Sequence, residues 1–152
     1  GNNVKIHSGC HIRENNEIGD NVNIGTLSEI AFNVKIGNDV KIHSGCHIYE
    51  YTIIEDDVRF NPGVYVLNTK YPYRPGKKPD IENVLIKKSA RIGARVTLMP
   101  GIVLGEWCLV GAGSVVTKNV PDYALVYGHP AKVKGDIREL KDKENNLQYL
   151  IK

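Results

Sequence analysis

Nine residues, VKIHSGCHI, occupy positions 4–12 and return unchanged at positions 40–48. Each copy holds one cysteine and two histidines, and thiolate and neutral imidazole are preferred zinc ligands. A third cysteine, Cys108, stands alone, and the chain has no C-x-x-C pair. Two chemistries are open to such a set. It is either a duplicated metal site or a duplicated piece of scaffold in which cysteine serves as a compact apolar filler. The elements that carry both copies decide between them.

Those elements show as a beat of six. Stepping by six from Ile6 reaches Ile12, Ile18, Ile24, Ile30, Ile36, Ile42, Ile48, Ile54, Phe60 and Val66. The same step from Ile86 reaches Ile92, Leu98, Leu104, Val110 and Val116. All 17 positions are apolar, where a hydrophobic content of 41% predicts about seven. Two residues earlier stand small or β-branched side chains, such as Val22, Ser28, Val34 and Thr52, with Asn16 the clear misfit. A period of six suits neither a 3.6-residue helix nor an isolated amphipathic strand. It suits a solenoid of short strands with a corner every six residues, in which residues two apart point inward. Cys10, Cys46 and Cys108 all take the small inward position. His7, His11, His43 and His47 are expected to point outward.

Composition narrows the function classes. The 152 residues carry a net charge of +3, with Lys and Arg interspersed among Asp and Glu. No basic stripe marks a nucleic-acid surface, so no nucleic-acid partner is expected. No apolar run approaches the roughly 20 residues that span a bilayer, so neither membrane association nor a signal peptide is expected. An odd number of cysteines points to a reducing, cytoplasmic setting.

The hexads, of the form [LIV]-G-x-x-[small]-x, resemble those of the hexapeptide-repeat acyltransferases over about residues 4–135. The resemblance implies an all-β fold, a left-handed parallel β-helix with triangular coils of 18 residues. It divides the chain into a β-helix acetyltransferase domain at 1–135 and a helical extension at 136–152. Asp136 with Glu139 three residues later gives the extension a helix-start signal. On this geometry the two VKIHSGCHI copies lie two coils apart on one face, about 10 Å at roughly 4.8 Å per coil. That is too far to share a metal ion, so the duplication reads as scaffold and no metal site is expected.

The beat breaks once, between Val66 and Ile86, where residues 67–85 hold three prolines together with Arg74, Lys77 and Lys78. A loop of this length thrown from a regular coil is more often functional than decorative. In the resembling enzymes it reaches a neighbouring subunit and walls an active site between two β-helices of a homotrimer. If the loop replaces one corner only, Asn68 stacks one coil above Glu50. The pair would then either hold a substrate amine or hydroxyl, or bond to each other and to corner backbone.

The run IEDDVRFNPGVYVLNTKYPYR is similar to the branch that N-acetylates amino groups on nucleotide-linked sugars. HIREN at 11–15 and IYE at 48–50 also resemble that branch. The resemblance implies that Asn68 positions the sugar amine, with substrate contacts at Tyr49, Arg13, Arg74 and His47. Glu50, stacked beneath Asn68 by the count of 18, is the second catalytic candidate, and it and His47 are the candidate proton acceptors. LVGAGSVVTKNVPDYALVYGHPAKVKG resembles the acetyl-CoA segment common to many hexapeptide acetyltransferases. It implies cofactor contacts at Ala94, Ala112, Thr117, Lys118 and Lys132. Gly111, Ala112 and Gly113 form a small-residue corner where the backbone can approach a pantetheine arm or merely turn tightly. The catalytic histidine of the galactoside and maltose O-acetyltransferases aligns with Tyr71, so a general base is missing at this place. Leu67 and Thr69 also depart from the branch pattern. The expected activity is acetyl transfer from acetyl-CoA to an amine on a UDP- or dTDP-linked sugar. The alternatives are O-acetylation of a sugar hydroxyl, a zinc enzyme resembling the gamma carbonic anhydrases, and a non-catalytic assembly module.

Overall fold

A computed structural model describes residues 1–71 and 75–149. Two-residue strands recur every six residues and stack into three parallel walls. The first wall runs through Lys5–Ile6, Asn23–Ile24, Lys41–Ile42, Arg59–Phe60, Arg91–Ile92 and Leu109–Val110 to Ala124–Gly128. His11–Ile12, Glu29–Ile30, His47–Ile48, Tyr65–Val66, Thr97–Leu98 and Val115–Val116 form the second. The third holds Glu17–Ile18, Lys35–Ile36, Ile53–Ile54, Leu85–Ile86 and Val103–Leu104. The chain passes from wall to wall in sequence order, the left-handed parallel β-helix expected of such hexads.

Each strand is too short to hold itself together, and its backbone groups find partners one coil away. His47 N–H donates to Val64 O at 2.9 Å and Glu29 N–H to Cys46 O at 2.8 Å, so every coil satisfies the next. Inside the prism the hexad aliphatics from Ile24 to Val116 form one continuous buried column. Ile6, on the outermost coil, is 53% exposed because no coil stacks beneath it. Polar residues in the inward slot bond across corners: Thr52 Oγ1 donates to Tyr49 O, and Ser114 Oγ to Gly111 O. Asn16, the apparent misfit, accepts from Val34 N–H at 2.7 Å and donates to Arg13 O at 2.9 Å, bracing two coils.

The corners carry a regularity hidden from hydropathy. Left-handed φ values recur every six residues, at Leu27, Asn33, Asp39, Gly45, Tyr51, Asp57 and Gly63, and resume from Ser89 to Gly113. Stacking holds bulky residues such as Tyr51 and Trp107 in a region they seldom visit. Elsewhere at the corners, closeness excludes a side chain. A Cβ on Gly93 would lie 2.5 Å from the Ala112 amide nitrogen.

At the C-terminal end the prism finishes differently from expectation. Ala124–Gly128 pairs in parallel with Leu109–Val110 and then antiparallel with Ala131–Asp136, forming a hairpin. The short helix expected after residue 135 amounts to a single 3-10 turn, Ile137–Glu139, with Ile137 fully buried. Asp136 does cap it, accepting from Arg138 N–H at 2.9 Å. Beyond it the described tail folds back on itself through a Lys141–Leu147 bridge. Among the described residues, no helix is long and apolar enough to cross a membrane.

Candidate active site

The break in the beat leaves the walls in register. Val66 pairs with Ile48 below and Leu98 above, while Ile86 pairs with Ile54 and Leu104. The insertion therefore replaces one corner, between the second and third walls. Thr69 and Ile81 close its neck as an antiparallel bridge, and Glu82 N–H donates to Asn68 O at 2.8 Å.

Beneath this loop lies a cavity of about 370 Å³ lined by Tyr49, Glu50, Asn68, Thr69, Lys70 and Tyr71. Its outer wall is Lys77, Lys78, Pro79, Asp80, Ile81 and Glu82. Asn68 does stack on Glu50. Its Nδ2 donates to Glu50 Oε2 at 2.6 Å, and its Oδ1 accepts from the Thr69 hydroxyl at 3.3 Å. Asn68 is 6% exposed, so its carboxamide is held in one orientation, whereas Glu50 is only half-buried. Of the two possibilities raised for this pair, the bond between the side chains is the one observed, and both residues also line the cavity. A carboxylate fixed by one oxygen keeps accepting capacity for a bound amine or hydroxyl.

The other expected substrate residues divide. Tyr49 lines the cavity beside Glu50. Arg13 stands on the same prism edge two coils lower, with its guanidinium 4.3 Å from the Phe32 ring centroid. His47 lies on the flat of the second wall, outside the cavity lining. It stacks on Tyr65 with ring centroids 4.7 Å apart, and its Nδ1 is 3.4 Å from Glu29 Oε2. Arg74 falls outside the described residues. Glu82 was not singled out from sequence, although counting back from Ile86 in the hexad phase places it in the Glu50 column.

The expected cofactor residues lie on two edges. Thr117 and Lys118 are exposed on the Asn68 edge, two coils higher. Ala94, Gly111, Ala112 and Gly113 sit on the neighbouring edge, between the first and second walls. Gly111 N–H donates to Val126 O and Gly113 N–H to Ala94 O, both at 2.8 Å. Among the described residues, the Ala94 and Ala112 amides have no acceptor. Two stacked, unused N–H donors beside the unfilled space over Gly113 suit the carbonyls of an extended pantetheine arm. Lys132 is exposed in the terminal hairpin, paired with Tyr127.

The cysteines pack as scaffold. Burial pushes the Cys46 thiol above its ordinary pKa, and burial together with nearby Asp122 pushes Cys108 up to about 12. Neither is a thiolate near neutrality.

Comparison with known proteins agrees with this architecture. Residues 33–68 and 83–118 match the family model described as bacterial transferase hexapeptide (six repeats). A dTDP-3-amino-3,6-dideoxy-alpha-D-galactopyranose 3-N-acetyltransferase of Aneurinibacillus thermoaerophilus is 49% identical over 59 residues, 39% of this chain and 31% of that protein. A galactoside O-acetyltransferase of Lactococcus lactis is 33% identical over 86 residues, 54% of this chain and 42% of the relative. The chain thus spans less than half the length of either curated relative. The acetyltransferase domain of PglB from Neisseria gonorrhoeae, solved with acetyl coenzyme A, superposes with a TM-score of 0.75 at 20% identity. That superposition covers 86% of this chain and 57% of the other, and at this identity it speaks for fold alone. The six-residue beat, the stacked walls and the two matched blocks, which stop and resume around the loop, identify residues 33–68 and 83–118 as hexapeptide repeats of the bacterial transferase kind.

Proposed function

We propose that the chain transfers an acetyl group from acetyl-CoA to the amine of a UDP- or dTDP-linked amino sugar. The observation that carries this reading is the cavity under the loop, with the fixed Asn68–Glu50 pair on its floor. No histidine occurs anywhere in residues 67–85. The site thus offers a carboxylate to orient an amine but lacks the imidazole base a hydroxyl acceptor would call for. The 49% identity to a dTDP-amino-sugar N-acetyltransferase over part of its length supports the same choice.

An amine that binds neutral already has a lone pair for attack. A sugar amine titrates well below lysine's roughly 10.4, so its deprotonation demands little. In the reaction the amine nitrogen bonds to the thioester carbonyl carbon, and the carbonyl pair moves onto oxygen. Collapse of that intermediate breaks the C–S bond, and the departing thiolate takes the proton lost by nitrogen. The chain's share is orientation by Asn68 and Glu50 and hydrogen bonding to the developing oxyanion.

The two-edge distribution of cofactor residues supports a homotrimer. One protomer presents Asn68, Thr117 and Lys118 on one edge and Ala94 and Ala112 on the next, so a groove using both sets needs two copies side by side. A cytoplasmic setting fits the nucleotide-sugar acceptor.

The test is to incubate the protein with acetyl-CoA and nucleotide-linked 3-amino and 4-amino sugars while following free thiol. Release that requires the amino sugar supports N-acetylation. Release with the matching hydroxy sugar alone would turn the assignment to O-acetylation, and release with neither would leave a binding module.

A further inference from the structure

The duplicated VKIHSGCHI segments serve as scaffold, yet their histidines border a second cavity, separate from the one under the loop. The cavity measures about 300 Å³ and opens on the edge between the first and second walls, in the lower half of the prism. His7, Asn23, Thr26, Lys41, His43 and Ser44 line it. His7 and His43 occupy equivalent positions two coils apart, and Gly25 sits between them in the same column. With coils roughly 4.8 Å apart, the two positions are about 10 Å from each other.

The gap between the imidazoles is built into the backbone. A Cβ on Gly25 would lie 2.6 Å from the His43 carbonyl carbon and the Ser44 amide nitrogen. No side chain can fill the notch without displacing the coil above. Its polar chemistry is one-sided: beside Ile42 and Phe60 the lining holds imidazoles, an ammonium, an amide and two hydroxyls, and no carboxylate. Lys41 is exposed and makes no ion pair among the described residues. His43 Nδ1 accepts from Ser44 N–H at 2.9 Å, so a proton on this ring sits on Nε2.

We propose that this notch binds a diphosphate group. An ammonium with imidazole, hydroxyl and amide donors on both sides of a gap is what a doubly phosphorylated anion requires. Among the described residues, no group of three or more His, Cys, Asp or Glu side chains that could hold a metal ion meets here or elsewhere. The notch lies on the same edge as Ala94, Gly111 and Ala112, several coils lower. Resting on the proposed function, the inference assigns the notch to the diphosphate of the nucleotide-linked acceptor. The acyl donor would then take the upper part of the same edge.

The experiment titrates the full chain, without acetyl-CoA, with inorganic phosphate, inorganic pyrophosphate, UDP and dTDP. It follows heat and the histidine imidazole NMR signals. Pyrophosphate and at least one nucleoside diphosphate should bind and shift His7 and His43 together. Lys41→Gln and His43→Asn should each weaken that binding about tenfold while leaving the fold's circular dichroism unchanged. Absence of pyrophosphate binding, or binding unaltered by both substitutions, would overturn the assignment. Equally strong binding of monophosphate would overturn the diphosphate reading. The outcome is separable from the proposed reaction. An amino-sugar acetylation whose KM is indifferent to Lys41→Gln defeats the notch alone, and diphosphate binding without any acetylation defeats the reaction alone.

Discussion

Replacing Asn68 by alanine separates two contributions that the structure superimposes, bracing a corner and orienting an acceptor. The substitution removes a charge-assisted bond of 2.6 Å to Glu50 and the bond from the Thr69 hydroxyl. A hydrogen bond to a charged group is worth about 1.5–3 kcal/mol. Glu50 is only half-buried, so its released oxygen regains water and the loss falls to about 1–2 kcal/mol. For a chain of this size that amounts to a fall in Tm of about 2–8 °C. The effect on acetyl transfer should be larger. A freed Glu50 carboxylate can swing by about 1 Å, and misplacement on that scale costs about 100-fold in rate, or about 2.7 kcal/mol. The assay pairs thermal denaturation with steady-state thiol release, using Asn68→Ala, Glu50→Gln and the double variant. Strong coupling in the double-mutant cycle for kcat/KM is expected, with the double variant little worse than either single one. A rate changed less than about threefold, accompanied by the Tm loss, would show the pair to be a corner brace and nothing more.

Three further outcomes are expected. Burial alone would raise the Asp57 carboxyl, but hydrogen bonds from Arg91 and Ser89 and the charges of Arg91 and Arg59 hold it below the usual value. Its stabilisation is therefore complete above the unfolded pKa of about 3.9 and is lost as pH falls through the folded one; Asp57→Asn should lower Tm at pH 7 and converge with the parent in acid, and a gap constant with pH would contradict this. Of the three free cysteines only Cys10 is not buried, so the native protein should react rapidly with one equivalent of a maleimide and with three when unfolded; equal rates at all three would refute the buried-slot assignment. Gly93→Ala drives a Cβ into the Ala112 backbone and should cost about 1–3 kcal/mol in urea denaturation, whereas an unchanged midpoint would mean the coils are not stacked so closely.

Much of this molecule was legible because the period converts sequence separation into contact. Once Ile6 to Val66 and Ile86 to Val116 are in phase, the inward cysteines, the outward histidines and the placement of Asn68 over Glu50 follow from counting. Counting fails where contacts leave the beat. The hairpin of Ala124–Gly128 with Ala131–Asp136 is antiparallel, and nothing in a parallel repeat announces it. The helix signal at Asp136 was genuine, but the chain beyond Ile137 turns back, so among the described residues one 3-10 turn is all that forms. The left-handed corners at Leu27, Tyr51 and Trp107 are imposed by stacking on residues with no local preference for them. The notch at Gly25 was hidden for a different reason: its walls come from a duplication that counting explains fully as structure.

The bridged neck at Thr69 and Ile81 gives the loop an autonomy that the rest of the chain lacks. Residues 67–85 leave and re-enter at one point, and the ladders above and below keep their pairing whatever lies between. On the proposed function, exchanging the flap alone should alter acceptor preference with no repacking of the prism. A graft of a differently sized flap between these two anchor residues should fold as readily as the parent while greeting a different guest.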